Sequence, residues 1–166
     1  MADQKKNPAV PAEPPADTDE RFMELARAQA LLAMELDETP VGCVIVRDGA
    51  VVGQGHNRRN TEKNPLAHGE IIAIDQACRA VGDWRLEDCT LYATIEPCPM
   101  CAGAIVQARI PRVVYGAANP KAGSAGSVLD ILAEPRLNHR VSVTAGVLEE
   151  PCAALMRAFF SRLRQK

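Results

Sequence analysis

Two cysteines three residues apart, Cys98 and Cys101, stand in the stretch TIEPCPMCAG, with prolines on both sides of the first and small residues after the second. On a helix these positions share a face. A helix N-terminus also favours a thiolate, because unpaired backbone N–H groups and the macrodipole stabilise negative charge. Pro99 suits the first turn, where its missing N–H has no intrahelical partner to lose. The spacing fits a redox dithiol, a pair of buried structural cysteines, or half of a zinc site. Thirty residues upstream, PLAHGEII offers His68 as a third donor. One imidazole and two thiolates leave a fourth position open on zinc, the pattern of a catalytic rather than a structural site. The other cysteines, Cys43, Cys78, Cys89 and Cys152, fall on other elements or at the far end of a strand and read as small core residues.

Glu70 follows in an otherwise apolar run. As a helix-start carboxylate it would be favoured by the dipole alone. Beside a metal it is placed to take a proton from water and return it to a leaving group. Positions 68 and 70 do not share a helix face; both reach one site because helical side chains lean toward the N-terminus. The set predicts hydrolysis at a carbon bearing a displaceable amine, with zinc-bound hydroxide attacking and Glu70 protonating the departing ammonia.

Several elements must position these groups. A helix capped by Asp17 or Thr18 runs to about Leu36, and VGCVIVRDGAVVGQGHN reads as a hairpin turning at Asp48-Gly49. A second helix, from about Ala67 to Val81, offers Ile71, Ile72, Ile74 and Ala77 to the core and stops at Gly82. CTLYATI is a buried strand, CAGAIVQARI a helix halted by Pro111, and RVVYGA another strand. The loop NPKAGSAGS leads to a short helix near Val128 to Leu132, then a strand in RVSVTAGV and a closing helix from Glu149 to Arg164. Alternating helices and strands predict a layered α/β domain with a partly parallel sheet. Residues 1–18, rich in proline and charge, read as a flexible tail before one domain spanning 19–166.

Composition excludes whole classes. With 47% hydrophobic and 24% charged residues in 166, the chain is long enough for a real core and is neither a disordered nor a membrane sequence. It has no apolar run long enough to span a bilayer and no signal-like N-terminus, so no membrane association and a cytoplasmic location are expected; there, six cysteines do not imply disulfides. The net charge of −2 does not advertise a nucleic-acid binder, and most of the acidic excess lies in the first twenty residues. RAFFSRLRQK concentrates Arg157, Arg162, Arg164 and Lys166 around Phe159 and Phe160, either as an amphipathic helix with solvated arginines or as an edge that binds a nucleic-acid backbone.

His68-Gly69-Glu70 with Pro97-Cys98-Pro99-Met100-Cys101 resembles the zinc-dependent nucleobase deaminase signature, H-x-E and P-C-x-x-C. PVGCVIV, GHNRRN, TLYATIEPCPMCAGAIVQARIPRVVYGA, GSAGSVLDIL, LNHRV and CAALMRAFFSRLR extend the resemblance to the bacterial tRNA-specific adenosine deaminases, over about residues 20 to 165. The resemblance implies a cytidine deaminase-like three-layer α/β/α fold, with a five-stranded mixed sheet between helices. It implies one zinc per subunit on His68, Cys98 and Cys101, Glu70 as proton shuttle and Asn57 as a hydrogen-bond partner of the target base. It further implies a homodimer that converts the wobble adenosine of a tRNA anticodon stem-loop to inosine, with the base flipped into the pocket.

Two departures stand beside the site. Gly69 replaces the family's usual alanine, which would widen the pocket floor and loosen the helix start. Asn119 replaces a usual aspartate, which would alter contact with ribose and phosphate and relax RNA preference; Lys121 in that loop is a candidate phosphate contact. The rival within the fold is a free nucleobase or nucleoside deaminase of guanine or cytosine type. From other classes come a noncatalytic RNA-binding module with structural zinc and a thioredoxin-like redox protein.

Overall fold

The computed structural model describes residues 16–166, so most of the expected N-terminal tail lies outside the described residues. Helix α1 (Ala16–Glu35) opens ahead of the expected cap and takes in residues 16 to 18, so Asp17 sits in its first turn. The hairpin β1 (Gly42–Arg47) and β2 (Ala50–His56) turns where expected, with φ of 50° at Asp48 and 76° at Gly49, the left-handed pair a tight two-residue turn requires. One turn of helix not anticipated from the sequence, α2 (Arg59–Glu62), follows. Then come α3 (Gly69–Val81), β3 (Cys89–Ile95), α4 (Pro99–Gln107), β4 (Arg112–Ala117), β5 (Ser142–Ala145) and α5 (Glu149–Arg164).

The strands form one mixed sheet in the order β2-β1-β3-β4-β5. β1 runs antiparallel to both β2 and β3, while β3, β4 and β5 are parallel. Alternating residues separate two cores. Cys43, Ile45, Leu91, Ala93 and Val113 pack toward α3 and α4, whereas Val44, Val46, Tyr92 and Val114 meet Phe22, Met23 and Ala26 of α1 and Cys152 of α5. The result is the expected three-layer α/β/α arrangement.

Three expectations need correction. Residues 128–132 form no helix: the chain doubles back in an Ala125–Asp130 bridge, with Gly126 at φ 124° closing the bend. Helix α4 ends at Gln107, ahead of Pro111, because Arg109 takes a left-handed conformation and Ile110 N–H returns to Ile105 O at 3.3 Å. The innermost residues of α3 are Ala73 and Ala77, while Ile71, Ile72 and Ile74 are only half-buried. Strand β2 supplies the reason, for a Cβ at Gly53 would lie 2.3 Å from Ala73 O and one at Gly55 would lie 2.5 Å from Gly69 O. Helix and strand backbones meet so closely that the face between them admits only small residues.

A buried ion pair ties α1 to the parallel strands. Arg112 (1% exposed) donates from Nη1 and Nη2 to the Asp19 carboxylate (4% exposed) at 3.0 and 2.8 Å, and Tyr92 Oη donates to the same carboxylate at 2.8 Å. Replacing Asp19 by alanine removes the carboxylate that offsets a buried guanidinium and should lower unfolding free energy by about 3 kcal/mol in urea titrations. A loss below about 1 kcal/mol would show that the pair is not a principal tie between these layers.

Candidate active site

Two helices begin side by side beyond the end of the central strand β3, and each offers the residue at its N-cap to the same point. His68 is the N-cap of α3, with φ −84° and ψ 149°, and Cys98 is the N-cap of α4, with φ −73° and ψ 173°. Extended backbone at both caps lets the side chains turn back over the helix ends, and Pro99 opens α4 as expected. His68 Nδ1 lies 3.6 Å from Cys98 Sγ and 3.5 Å from Cys101 Sγ. Among the described residues, this is the one cluster of three or more His, Cys, Asp or Glu whose ligand atoms converge, all within 4.8 Å of one another. Glu70, 3% exposed, comes within 3.5 Å of Cys101 Sγ through Oε2, so the leaning of helical side chains does bring positions 68 and 70 to one place.

The electrostatics suit a cation. Hydrogen bonding from Cys101 and from His68 brings the Cys98 thiol down to about 4 despite burial. Cys101, bonded to that thiolate and buried, is pushed far up. The hydrogen bond with Cys98 also raises His68 against the effect of burial. One thiolate and two strained titrations at three soft donors, beneath two helix N-termini, form a set that a divalent, borderline-soft ion would relieve, so the residues fit zinc. Burial pushes the Glu70 carboxyl above its ordinary range, and the Cys98 charge adds to this, the direction that helps a carboxyl hold a proton.

His68, Glu70 and Cys98 line a cleft of about 1020 Å³, with Cys101 fully buried beside them; the lining also includes Asn57, Asn119 and Lys121, so every residue singled out in the sequence as substrate-facing borders it. Asn57 has a structural task as well. Its Oδ1 accepts the Gly69 N–H at 2.9 Å, satisfying an otherwise unpaired donor at the start of α3. Gly69 does not widen the pocket floor: a Cβ there would meet Gly55 O and His56 Cα at 3.1 Å and Val41 O at 3.2 Å, so it faces the sheet backbone. Asn119 turns inward, its Oδ1 accepting the N–H groups of Lys121 at 3.2 Å and Ala122 at 3.1 Å.

The C-terminal cluster divides between tasks. Phe159 is buried while Phe160, 42% exposed, borders the cleft with Arg157 and Arg164. Arg162 instead reaches back to α1, donating to Asp37 at 3.1 Å and to Met34 O at 3.3 Å. Arg59, on the unanticipated helix α2, adds a further cation to the rim. Glu96 also borders the cleft; its only sequence signal was a charged residue ending an apolar strand. The four remaining cysteines are free thiols, with Cys43, Cys89 and Cys152 buried and Cys78 half-buried.

The model of the MafB19-like deaminase family matches residues 17–164. A tRNA-specific adenosine deaminase of Bacillus subtilis (strain 168) is 49% identical over 148 residues, covering 89% of this chain and 92% of that protein. A solved structure from a study of A-to-I editing by deaminases acting at the wobble position of transfer RNA superposes with a TM-score of 0.78 at 43% identity, over 81% of this chain and 98% of that one. The guanine deaminase of Bacillus subtilis is more distant in shape, with a TM-score of 0.59 at 34% identity over 89% of this chain and 94% of that one.

A thiol held at about 4 is a thiolate throughout the neutral range, whereas burial raises those of Cys43, Cys89 and Cys152. In metal-free protein at pH 6, iodoacetamide should therefore alkylate Cys98 at least about tenfold faster than those three, read by peptide mass spectrometry. Equal rates would contradict the electrostatics described for the site.

Proposed function

The chain belongs to the tRNA-specific adenosine deaminases within the MafB19-like deaminase family, and from that membership we propose how its own residues convert the wobble adenosine of tRNA (position 34) to inosine. One observation carries the reading: a buried carboxylate, Glu70, stands against three convergent soft donors in a cleft rimmed by cations. His68, Cys98 and Cys101 would hold one zinc ion, leaving a position for a non-protein ligand. When bound there, zinc supplies Lewis acidity that makes water a nucleophile at neutral pH.

The remaining chemistry belongs to the chain. Glu70 takes the proton of the attacking water on its carboxylate and delivers it to the departing amine, so adenosine and water become inosine and ammonia. Asn57 Oδ1 is engaged by Gly69, which leaves the Nδ2 amide to donate to the base. Cleft walls exclude bulk water, and a base already unstacked in a loop is inexpensive to flip into them. Lys121, Arg59, Arg157 and Arg164 are spaced around the rim to meet backbone phosphates.

Two further parts of the reading concern the assembly and its setting. A homodimer is supported by large exposed apolar side chains, with Leu66 at 56%, Val128 at 52% and Leu129 at 49%. Among the described residues no helix is long and apolar enough to cross a membrane, and action on tRNA supports a cytoplasmic location.

The test is incubation of an anticodon stem-loop bearing adenosine at the wobble position, followed by sequencing. Inosine at that position is expected, with no comparable ammonia release from free guanine, adenosine or cytidine. The reverse pattern would identify a free-base or nucleoside deaminase instead.

Two substitutions probe the roles. Glu70→Gln should retain zinc by metal analysis while lowering kcat by about 10²- to 10⁴-fold; turnover within tenfold of native protein would refute the proton-shuttle role. Asn119→Asp should raise the ratio of RNA to DNA stem-loop deamination about fivefold, because a carboxylate beside the target can accept from a ribose 2′-hydroxyl that DNA lacks. An unchanged ratio would remove Asn119 from sugar selection.

A further inference from the structure

Glu96 follows the last residue of β3 and is 1% exposed, yet among the described residues its side chain bonds to residues 23 to 31 positions further along the chain. Its Oε1 accepts the N–H groups of Ala125 at 3.0 Å and Ser127 at 3.1 Å. Its Oε2 accepts the N–H of Asn119 at 3.0 Å and the Ser127 hydroxyl. Gly123 presses against it, since a Cβ there would lie 2.3 Å from Oε2 and 2.5 Å from Asn119 O. The backbone adds a parallel tie, with Ser124 N–H donating to Pro97 O at 2.9 Å.

We infer that Glu96 is a positioning residue for substrate: it holds the 119–127 segment against the strand end that carries Cys98, setting the cleft wall that presents Asn119 and Lys121. This rests on the reading of the cleft as the tRNA site. The four groups hydrogen-bonded to Glu96 are all donors, and an ionised carboxylate has only acceptors to offer them. The nearly isosteric amide of glutamine turns an NH₂ toward either Asn119 or the Ala125–Ser127 pair. One side of the loop then faces a donor with a donor, and a backbone N–H loses its partner. A neutral core residue in that place would leave all three N–H groups in want of an acceptor. The shape of the loop thus depends on a charge two residues before Cys98 as well as on its own Gly123 and Ser127.

The experiment uses full-length, zinc-loaded Glu96→Gln protein, with Gly123→Ala as a second variant that pushes on the same contact from the loop side. In hydrogen exchange by mass spectrometry, peptides covering 118–128 should exchange about tenfold faster in Glu96→Gln, while those of α1 and β1 do not change. Both variants should raise KM for the anticodon stem-loop roughly tenfold with kcat within about threefold and zinc content unchanged. Unchanged exchange over 118–128 overturns the inference whatever the substrate, because that readout needs no RNA. Loss of zinc with a matching fall in kcat also overturns it, since Glu96 would then act through Cys98 rather than the loop. If Glu96→Gln fails to fold, Gly123→Ala decides alone, and a native KM in that variant overturns the inference. Faster exchange without any tRNA turnover by native protein would instead refute the tRNA reading and leave the loop-holding role intact.

Discussion

Two helices starting side by side set the terms for the rest of the molecule. The starts of α3 and α4 bring the side chains of two N-caps, His68 and Cys98, to 3.6 Å from each other. Hydrogen bonds from Cys101 and His68, meeting at that point, favour a thiolate at Cys98. The arrangement depends in turn on how closely α3 can approach the sheet. Glycines at 53 and 55 let the strand and helix backbones almost touch, and Ala73 and Ala77 complete the contact from the other side. Larger residues at these positions would lift α3 and carry His68 and Glu70 away from Cys98 and Cys101.

Around that centre, long-range polar contacts set the walls. Asn57 closes the α3 N-terminus across 12 residues. Glu38, 2% exposed, accepts from Thr61 N–H at 2.6 Å and from its hydroxyl at 2.9 Å, which secures α2 and with it Arg59. Glu96 secures the opposite wall through the 119–127 segment. Each is an acceptor, buried at Glu38 and Glu96 and half-buried at Asn57, supplied to backbone donors that no regular element satisfies, a requirement that follows from the cost of leaving such donors unpaired. Loops flanking a substrate cleft cannot bury much apolar surface of their own, so a carboxylate beneath them is an effective way to give them one shape.

Local pattern made the framework legible. CTLYATI and RVVYGA coincide with β3 and β4, and the closing helix has the expected ends, because each is a short apolar or amphipathic run with clear punctuation. The convergence of His68, Cys98 and Cys101 was also legible, since His68-Gly69-Glu70 and Pro97 to Cys101 are compact and chemically distinctive. What sequence could not supply were pairings between distant side chains and backbone. The inward turn of Asn119, the α3-capping role of Asn57 and the division of labour between Arg162 and its neighbours all depend on what lies opposite in space. The expected helix at 128–132 failed for a related reason: its apolar residues have helical spacing, but neighbouring glycines let the chain fold back into a bridge that the Glu96 contacts reinforce. The expected effect of Gly69 on the pocket floor fails because the direction of its absent Cβ, toward β2 rather than the cleft, is set by the helix entry angle.

The central claim is that the two helix starts build a three-donor zinc site with an open position beside Glu70. A crystal structure with anomalous data across the zinc edge tests it most directly. The account predicts one zinc bonded to His68 Nδ1 at about 2.0–2.1 Å and to the sulfurs of Cys98 and Cys101 at about 2.3 Å, with a water or substrate atom as fourth ligand. A fourth protein ligand closing the shell, or a Cys98–Cys101 disulfide in place of metal, would contradict it.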